Sequence, residues 1–151
     1  MRKITLAAVA VSAAALAAPN LTGEWKLNVT KSNYGAFPAP QAMTRRINHQ
    51  GVALFMSTTQ KGPQGDVSSD LLYTTDGHVC VNKMPTGEVK GTAHWEGDTL
   101  IIESSREVNK AELKERDVWK LSADGKTLTI TAHIELPQQG GFDVKQVFEK
   151  Q

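Results

Sequence analysis

From Trp25 onward the chain alternates apolar and polar residues and breaks at turn-forming pairs. Trp25, Leu27 and Val29 alternate with Glu24, Lys26 and Asn28, which predicts a half-buried strand. Residues 30–41 hold Gly35, Pro38 and Pro40 and predict an ordered loop or flap, because proline is not tolerated in a regular helix interior. Residues 43–49 and 52–60 predict a hairpin around Gln50-Gly51, and residues 61–66 read as a longer turn. Val67, Ser69, Leu71 and Tyr73 then share one face. Asp76-Gly77 is a tight-turn signal. Residues 78–84 predict a strand that Pro85-Thr86-Gly87 ends.

The second half keeps the same rhythm. Val89, Gly91, Ala93 and Trp95 mark an inward face, Gly97-Asp98 turns the chain, and Leu100, Ile102, Ser104 and Arg106 continue it. Asn109-Lys110 turns again, and Leu113, Trp119 and Leu121 follow on one parity. Residues 107–120 contain good helix formers, but Val118, Trp119 and the Asp124-Gly125 turn fit the β rhythm better. Leu128, Ile130, Ala132 and Ile134 alternate most cleanly, and Phe142, Val144, Gln146 and Phe148 form the last face.

About ten strands at this spacing predict an all-β domain. Every connection is short enough to join neighbouring antiparallel strands. Ten twisted strands would also expose long edges unless the sheet closed. The expectation is therefore a single antiparallel up-and-down β-barrel. A barrel of that size has room for side chains plus one small ligand.

The first residues change the compartment. Met1-Arg2-Lys3 is basic, residues 4–16 are mostly apolar, and Ala15-Leu16-Ala17 supplies the small residues of a cleavage site. Residues 1–17 are read as a Sec-type signal peptide cut after Ala17. The apolar run is shorter than the roughly 20 residues of a membrane span. Residues 18–151 form the barrel domain, and a periplasmic or extracellular location is expected. The whole chain has a formal charge of +1, and loss of Arg2 and Lys3 brings it to −1. That balance argues against nucleic acid and offers no polybasic membrane patch. The single cysteine, Cys80, has no internal partner and is expected to be buried. A monomer is expected.

Gly23-Glu24-Trp25-Lys26-Leu27 resembles the first-strand signature of lipocalins and fatty-acid-binding proteins. Gln146-Val147-Phe148-Glu149-Lys150 resembles the last strand of the latter. With Lys31-Ser32-Asn33-Tyr34 and Pro38-Ala39-Pro40 between them, the chain resembles a group of secreted bacterial lipocalin-like proteins of unknown function. The resemblance implies a calycin-type barrel. It does not carry over the fatty-acid carboxylate site, because Gln146 and Phe148 stand where that family places Arg and Tyr. Residues 30–41 are also too short and proline-rich for that family's helix pair.

By parity, the apolar faces also hold Arg45, His49, Ser69, Tyr73, Ser104, Arg106, Glu115, Asp117 and Gln146. Unpaired in a dry core, each would cost about 1–3 kcal/mol. A wet pocket, or pairing of Arg45 and Arg106 with Glu115 and Asp117, removes that cost. Arg45, Tyr73, Ser104, Arg106, Asp117 and Gln146 are the candidate ligand-binding residues for a small hydrophobic or amphipathic molecule.

No cofactor or metal site is read. His78-x-Cys80, His94-x-Glu96 and His133-x-Glu135 each place two donors on one face, but a catalytic zinc needs three converging ligands. His94 and His133 are expected to face solvent. No Gly-x-Ser-x-Gly elbow is present, and no catalytic residue is assigned. Two other classes stay open. One is an envelope-associated structural or interaction module with a solid core, suggested by Phe37, Phe55 and Ile101 as exposed apolar residues. The other is a small-barrel enzyme using Glu115 and Asp117.

Overall fold

The computed structural model describes residues 18–151. The signal peptide read in residues 1–17 lies outside them. Ten strands follow in order: β1 (Gly23–Leu27), β2 (Ala42–Gln50), β3 (Ala53–Gly62), β4 (Gly65–Thr74), β5 (Cys80–Met84), β6 (Gly87–Glu96), β7 (Thr99–Val108), β8 (Ala111–Leu121), β9 (Thr127–Leu136) and β10 (Gly140–Lys150). All pairings are antiparallel. The spatial order β4-β3-β2-β1-β10-β9-β8-β7-β6-β5 is the predicted meander, curled so that first and last strands meet. Trp25 lies opposite Lys150, and Leu27 opposite Phe148. The helix-forming stretch in β8 is a strand because its inward residues pair across the sheet, Leu113 with Arg106 and Trp119 with Leu100. Sheet pairing there overrides local propensity.

Three local expectations are corrected. Val29 leaves the sheet: Asn28 caps a 3-10 turn, Val29–Lys31, its Oδ1 accepting from the Lys31 N–H at 3.1 Å. The turn at residues 61–66 is tighter than expected, since Lys61 still pairs with Asp66 and only Pro63 and Gln64 lie between the strands. β5 starts at Cys80 rather than His78, because His78 folds back on Asp76, its N–H donating to Oδ1 at 3.2 Å.

The barrel is closed except for a seam between β4 and β5, which share no backbone ladder. The Asn82 side chain spans it. The Asn82 amide accepts from the Leu72 N–H at 2.8 Å and donates to the Leu72 carbonyl at 3.1 Å, imitating a backbone partner. Asn82→Ala removes both bonds. We expect a stability loss of about 1–2 kcal/mol, since the freed Leu72 groups sit where water reaches them. Urea denaturation measures the loss, and faster hydrogen exchange at the Leu72 amide locates it. An unchanged Leu72 amide would contradict the staple.

Side chains fill one end of the barrel. Leu21, Trp25, Ile47, Leu54, Leu100 and Leu128 are all fully buried there, with Phe148 among them. The polypeptide entering β1 crosses this end, and the β2–β3, β6–β7 and β8–β9 turns surround it. Ile101 is not exposed as expected: it is 2% accessible on the outer face, flanked across the sheet by His94 and Val118. Phe37 is half-buried, its ring edge-on to Phe142 at 5.2 Å. Phe55 is exposed, as expected.

Candidate functional site

The opposite end of the barrel is hollow. A cavity of about 510 Å³ opens toward the β3–β4, β5–β6, β7–β8 and β9–β10 turns. Its walls mix polar residues with apolar ones, Met43, Met56, Leu71, Val89, Ile102 and Leu113 among the latter. They result from the period-2 alternation of six strands, whose inward positions carry these residues. Its volume falls in the usual range for small-molecule sites, about 300–1,000 Å³. Two further concavities, about 440 and 730 Å³, lie along β6 to β9 and around the turns of β6 to β8. They are shallow and lined largely by charged residues, and offer no apolar enclosure.

A polar cluster forms the cavity floor. Arg45 on β2 donates from Nε to Thr58 Oγ1 at 3.0 Å. Its guanidinium lies over the rings of Trp119 and Phe148, 5.4 and 5.0 Å from their centroids. What surface Arg45 retains faces the cavity, and burial pulls its pKa down, opposed by the charges of Asp117 and Glu115. Asp117 on β8 accepts from Trp119 Nε1 at 3.4 Å through Oδ2. Its Oδ1 is buried and is the one such side-chain polar atom among the described residues without a hydrogen-bond partner. Burial, and then the neighbouring Glu115, push the Asp117 carboxyl well above the usual carboxylate range. Two carboxyls side by side in low dielectric resist ionising together.

Tyr73 on β4 faces the same floor. Its ring lies against β6 where Gly91 stands: a Cβ at residue 91 would come within 3.0 Å of the ring and 2.6 Å of the Glu103 carbonyl. Burial first, and the Asp117 and Glu115 charges next, push Tyr73 up to about 12. Burial also raises Tyr34, partly offset by its hydrogen bond from Gln146. These are the chain's only two tyrosines. An unfolded tyrosine ionises at about pH 10. The folded protein therefore holds phenolic protons that the unfolded chain has lost, so this stabilisation is full below about pH 10 and lost as pH climbs toward 12. Near-ultraviolet absorbance should show no tyrosine ionising at its ordinary pH in the folded protein, and Tyr73→Phe should remove the last-ionising component. An ordinary transition for Tyr73 would place it outside the floor.

The flap reaches across the open end. Asn33 exchanges backbone bonds with Lys145 on β10, at 2.8 and 2.7 Å. This pins the loop to the wall and turns Tyr34 inward, where its hydroxyl accepts from Gln146 Nε2 at 2.9 Å. Phe37 and Pro38 complete the partial cover.

The expected ligand-binding residues Arg45, Tyr73, Ser104, Arg106, Asp117 and Gln146 all line this one cavity, as do Ser69 and Glu115. They do so at different depths. Arg45, Tyr73 and Asp117 are at the floor, while Arg106 is exposed at the rim and makes no ion pair with either acid. The expected ion pairs with the acids are not formed by Arg45 either, whose charge acts on them from a distance. His49 is elsewhere: it stacks on Trp95 near the closed end and accepts the Leu21 N–H at Nδ1, 3.3 Å away. Sequence reasoning missed Tyr34 and Thr58. Thr58 was legible as the inward parity of β3, whereas Tyr34 depends on the path of a loop. Cys80 is half-buried at the seam, 3.7 Å from Thr74 Oγ1, rather than buried. His94 and His133 are on the outer wall, beside Glu96 and Asp143 at 3.2 and 2.7 Å. No group of three His, Cys, Asp or Glu residues among those described is placed to hold a metal.

No family model matches this chain, and no curated protein does. Solved structures do match, at the level of the fold. A secretory abundant heat soluble protein from Ramazzottius varieornatus has a TM-score of 0.62 at 14% identity, covering 86% of this chain and 94% of its own. Zebrafish ileal bile acid-binding protein complexed with cholic acid has a TM-score of 0.56 at 18% identity, over 87% of this chain and 98% of its own. A fatty acid-binding protein from Drosophila melanogaster brain has a TM-score of 0.58 at 16% identity, over 85% and 98%. The fold is thus that of the fatty-acid-binding and lipocalin-like barrels.

Proposed function

We propose that this protein is an exported, non-catalytic barrel that binds one small hydrophobic or amphipathic molecule in its interior. The cavity carries the reading. Its walls are partly apolar, its floor is polar and a pinned flap partly covers its mouth. Arg45, Tyr73, Ser104, Asp117 and Gln146 would contact the ligand's polar parts, and Arg106 its entry. Structural neighbours bound to bile acid or named for fatty acids support a barrel used in this way. Export rests on the basic start, apolar run and small residues of segment 1–17.

Native mass spectrometry of the purified protein, offered lipid extracts, tests the reading. One adduct per chain, surviving mild activation, is expected. A protein that retains no small molecule from any extract would overturn it.

One observation favours a second reading, as an interaction module. Phe55 and Leu72 face each other on the outer wall, 41% and 49% accessible, and Val81 across the seam is 53% accessible. Such a stripe is a typical contact surface. Crosslinking in the native envelope, compared with a Phe55→Ser, Leu72→Ser variant, separates the two readings: partner loss with ligand uptake intact assigns the stripe its own role.

A further inference from the structure

The floor of the cavity gathers two carboxyl groups on one strand. Arg45 donates from Nε to Thr58 and stacks on Trp119 and Phe148. Asp117 Oδ1 is buried without a donor, and Glu115 stands two residues along the same inward face. Two carboxyl groups thus face one guanidinium. The other cation lining the cavity, Arg106, is at the rim. From β4, Tyr73 presents a phenol near Ser104, and from the flap Tyr34 presents a phenol already accepting from Gln146.

An incoming carboxylate would meet both acids in a low-dielectric site. An incoming ammonium could take the place of the proton that Asp117 holds beside Glu115, donating to both carboxyl groups, and the Trp119 and Tyr73 rings would add cation–π attraction. We propose, building on the binding function above, that the ligand is an amphipathic amine whose protonated nitrogen sits against Asp117 and Glu115 while its hydrocarbon occupies the apolar walls. The burial and the Glu115 neighbour that hold a proton on Asp117 in the empty barrel are offset when the ammonium arrives. The Asp117 proton then passes to the buffer.

Isothermal titration with dodecylamine, dodecanol and dodecanoate at neutral pH tests this. All three are kept below their aggregation concentrations, in two buffers of different protonation enthalpy. The amine should bind at least about tenfold more tightly than the carboxylate, a difference of about 1.4 kcal/mol. Its binding should release a proton, and binding of the alcohol should not. Asp117→Asn should abolish both the preference and the release while keeping alcohol affinity. Glu115→Gln reports on the same pair should the first variant not fold. Equal or tighter binding of dodecanoate, or an amine preference that survives both substitutions, would overturn the inference while leaving the binding barrel standing. Failure of all three compounds to bind would overturn the binding barrel with it.

Discussion

Replacing Trp25 with Ala should cost about 3–5 kcal/mol, the range for truncating a buried large aromatic. Trp25 is 0% accessible at the closed end of the barrel. Its indole N–H donates to the Leu21 carbonyl at 3.0 Å, tying the entering polypeptide across that end. The Lys150 ammonium lies over its ring at 5.8 Å, joining the last strand to the same side chain. Gly23 makes this packing feasible. Its φ of 153° suits glycine, and a Cβ there would come within 2.8 Å of the Lys150 side chain. The expected loss is a large share of a domain stability of about 5–15 kcal/mol. Denaturant unfolding followed by circular dichroism measures it. A loss below about 1 kcal/mol, typical of surface substitutions, would place Trp25 outside the core.

Arg45→Leu should be the next most damaging change, with a pH dependence that identifies its cause. The substitution keeps apolar bulk against Trp119 and Phe148 but removes the positive charge facing Asp117 and Glu115. Stranding buried charge in this way costs about 3 kcal/mol at neutral pH. The Asp117 carboxyl is raised in the folded protein, so its contribution to stability is full below the unfolded value of about 3.9 and is lost as pH rises through the folded value. Without Arg45 that loss deepens. The difference between wild type and variant should thus be largest at neutral pH and shrink toward pH 4. A cost independent of pH would mean that Arg45 contributes through packing alone.

Much of this fold was legible because parity and turns are local properties. The Asp76-Gly77, Gly97-Asp98 and Asp124-Gly125 turns, and the faces led by Trp25, Leu100 and Leu128, follow from neighbours in sequence. The seam was not legible, because which strands fail to pair depends on how the whole sheet closes. The Asn82 staple is accordingly invisible as a sequence signal. Depth was hidden too. Val67 has inward parity yet is 65% accessible, because it lies near the open rim. Ile101 has outward parity yet is shielded by its cross-strand neighbours. For the site, parity selected the residues that line the cavity. It could not rank Asp117 at the floor above Arg106 at the mouth, nor bring Tyr34 over from the flap.

The hollow interior as a binding site is the central claim, and Ala132 gives the most direct access to it. Ala132 lies between Asp117 and Val144 on adjacent strands and points into the cavity. Ala132→Phe places a ring in the empty space while leaving the closed end and the flap untouched. Titration of wild type and variant with the uncharged fluorescent probe N-phenyl-1-naphthylamine reads occupancy directly. The wild type should show saturable, blue-shifted emission at one probe per chain, and the variant, with an unchanged circular dichroism spectrum, should bind at least about tenfold more weakly. Equal binding by the two proteins, or none by the wild type, would contradict an interior site.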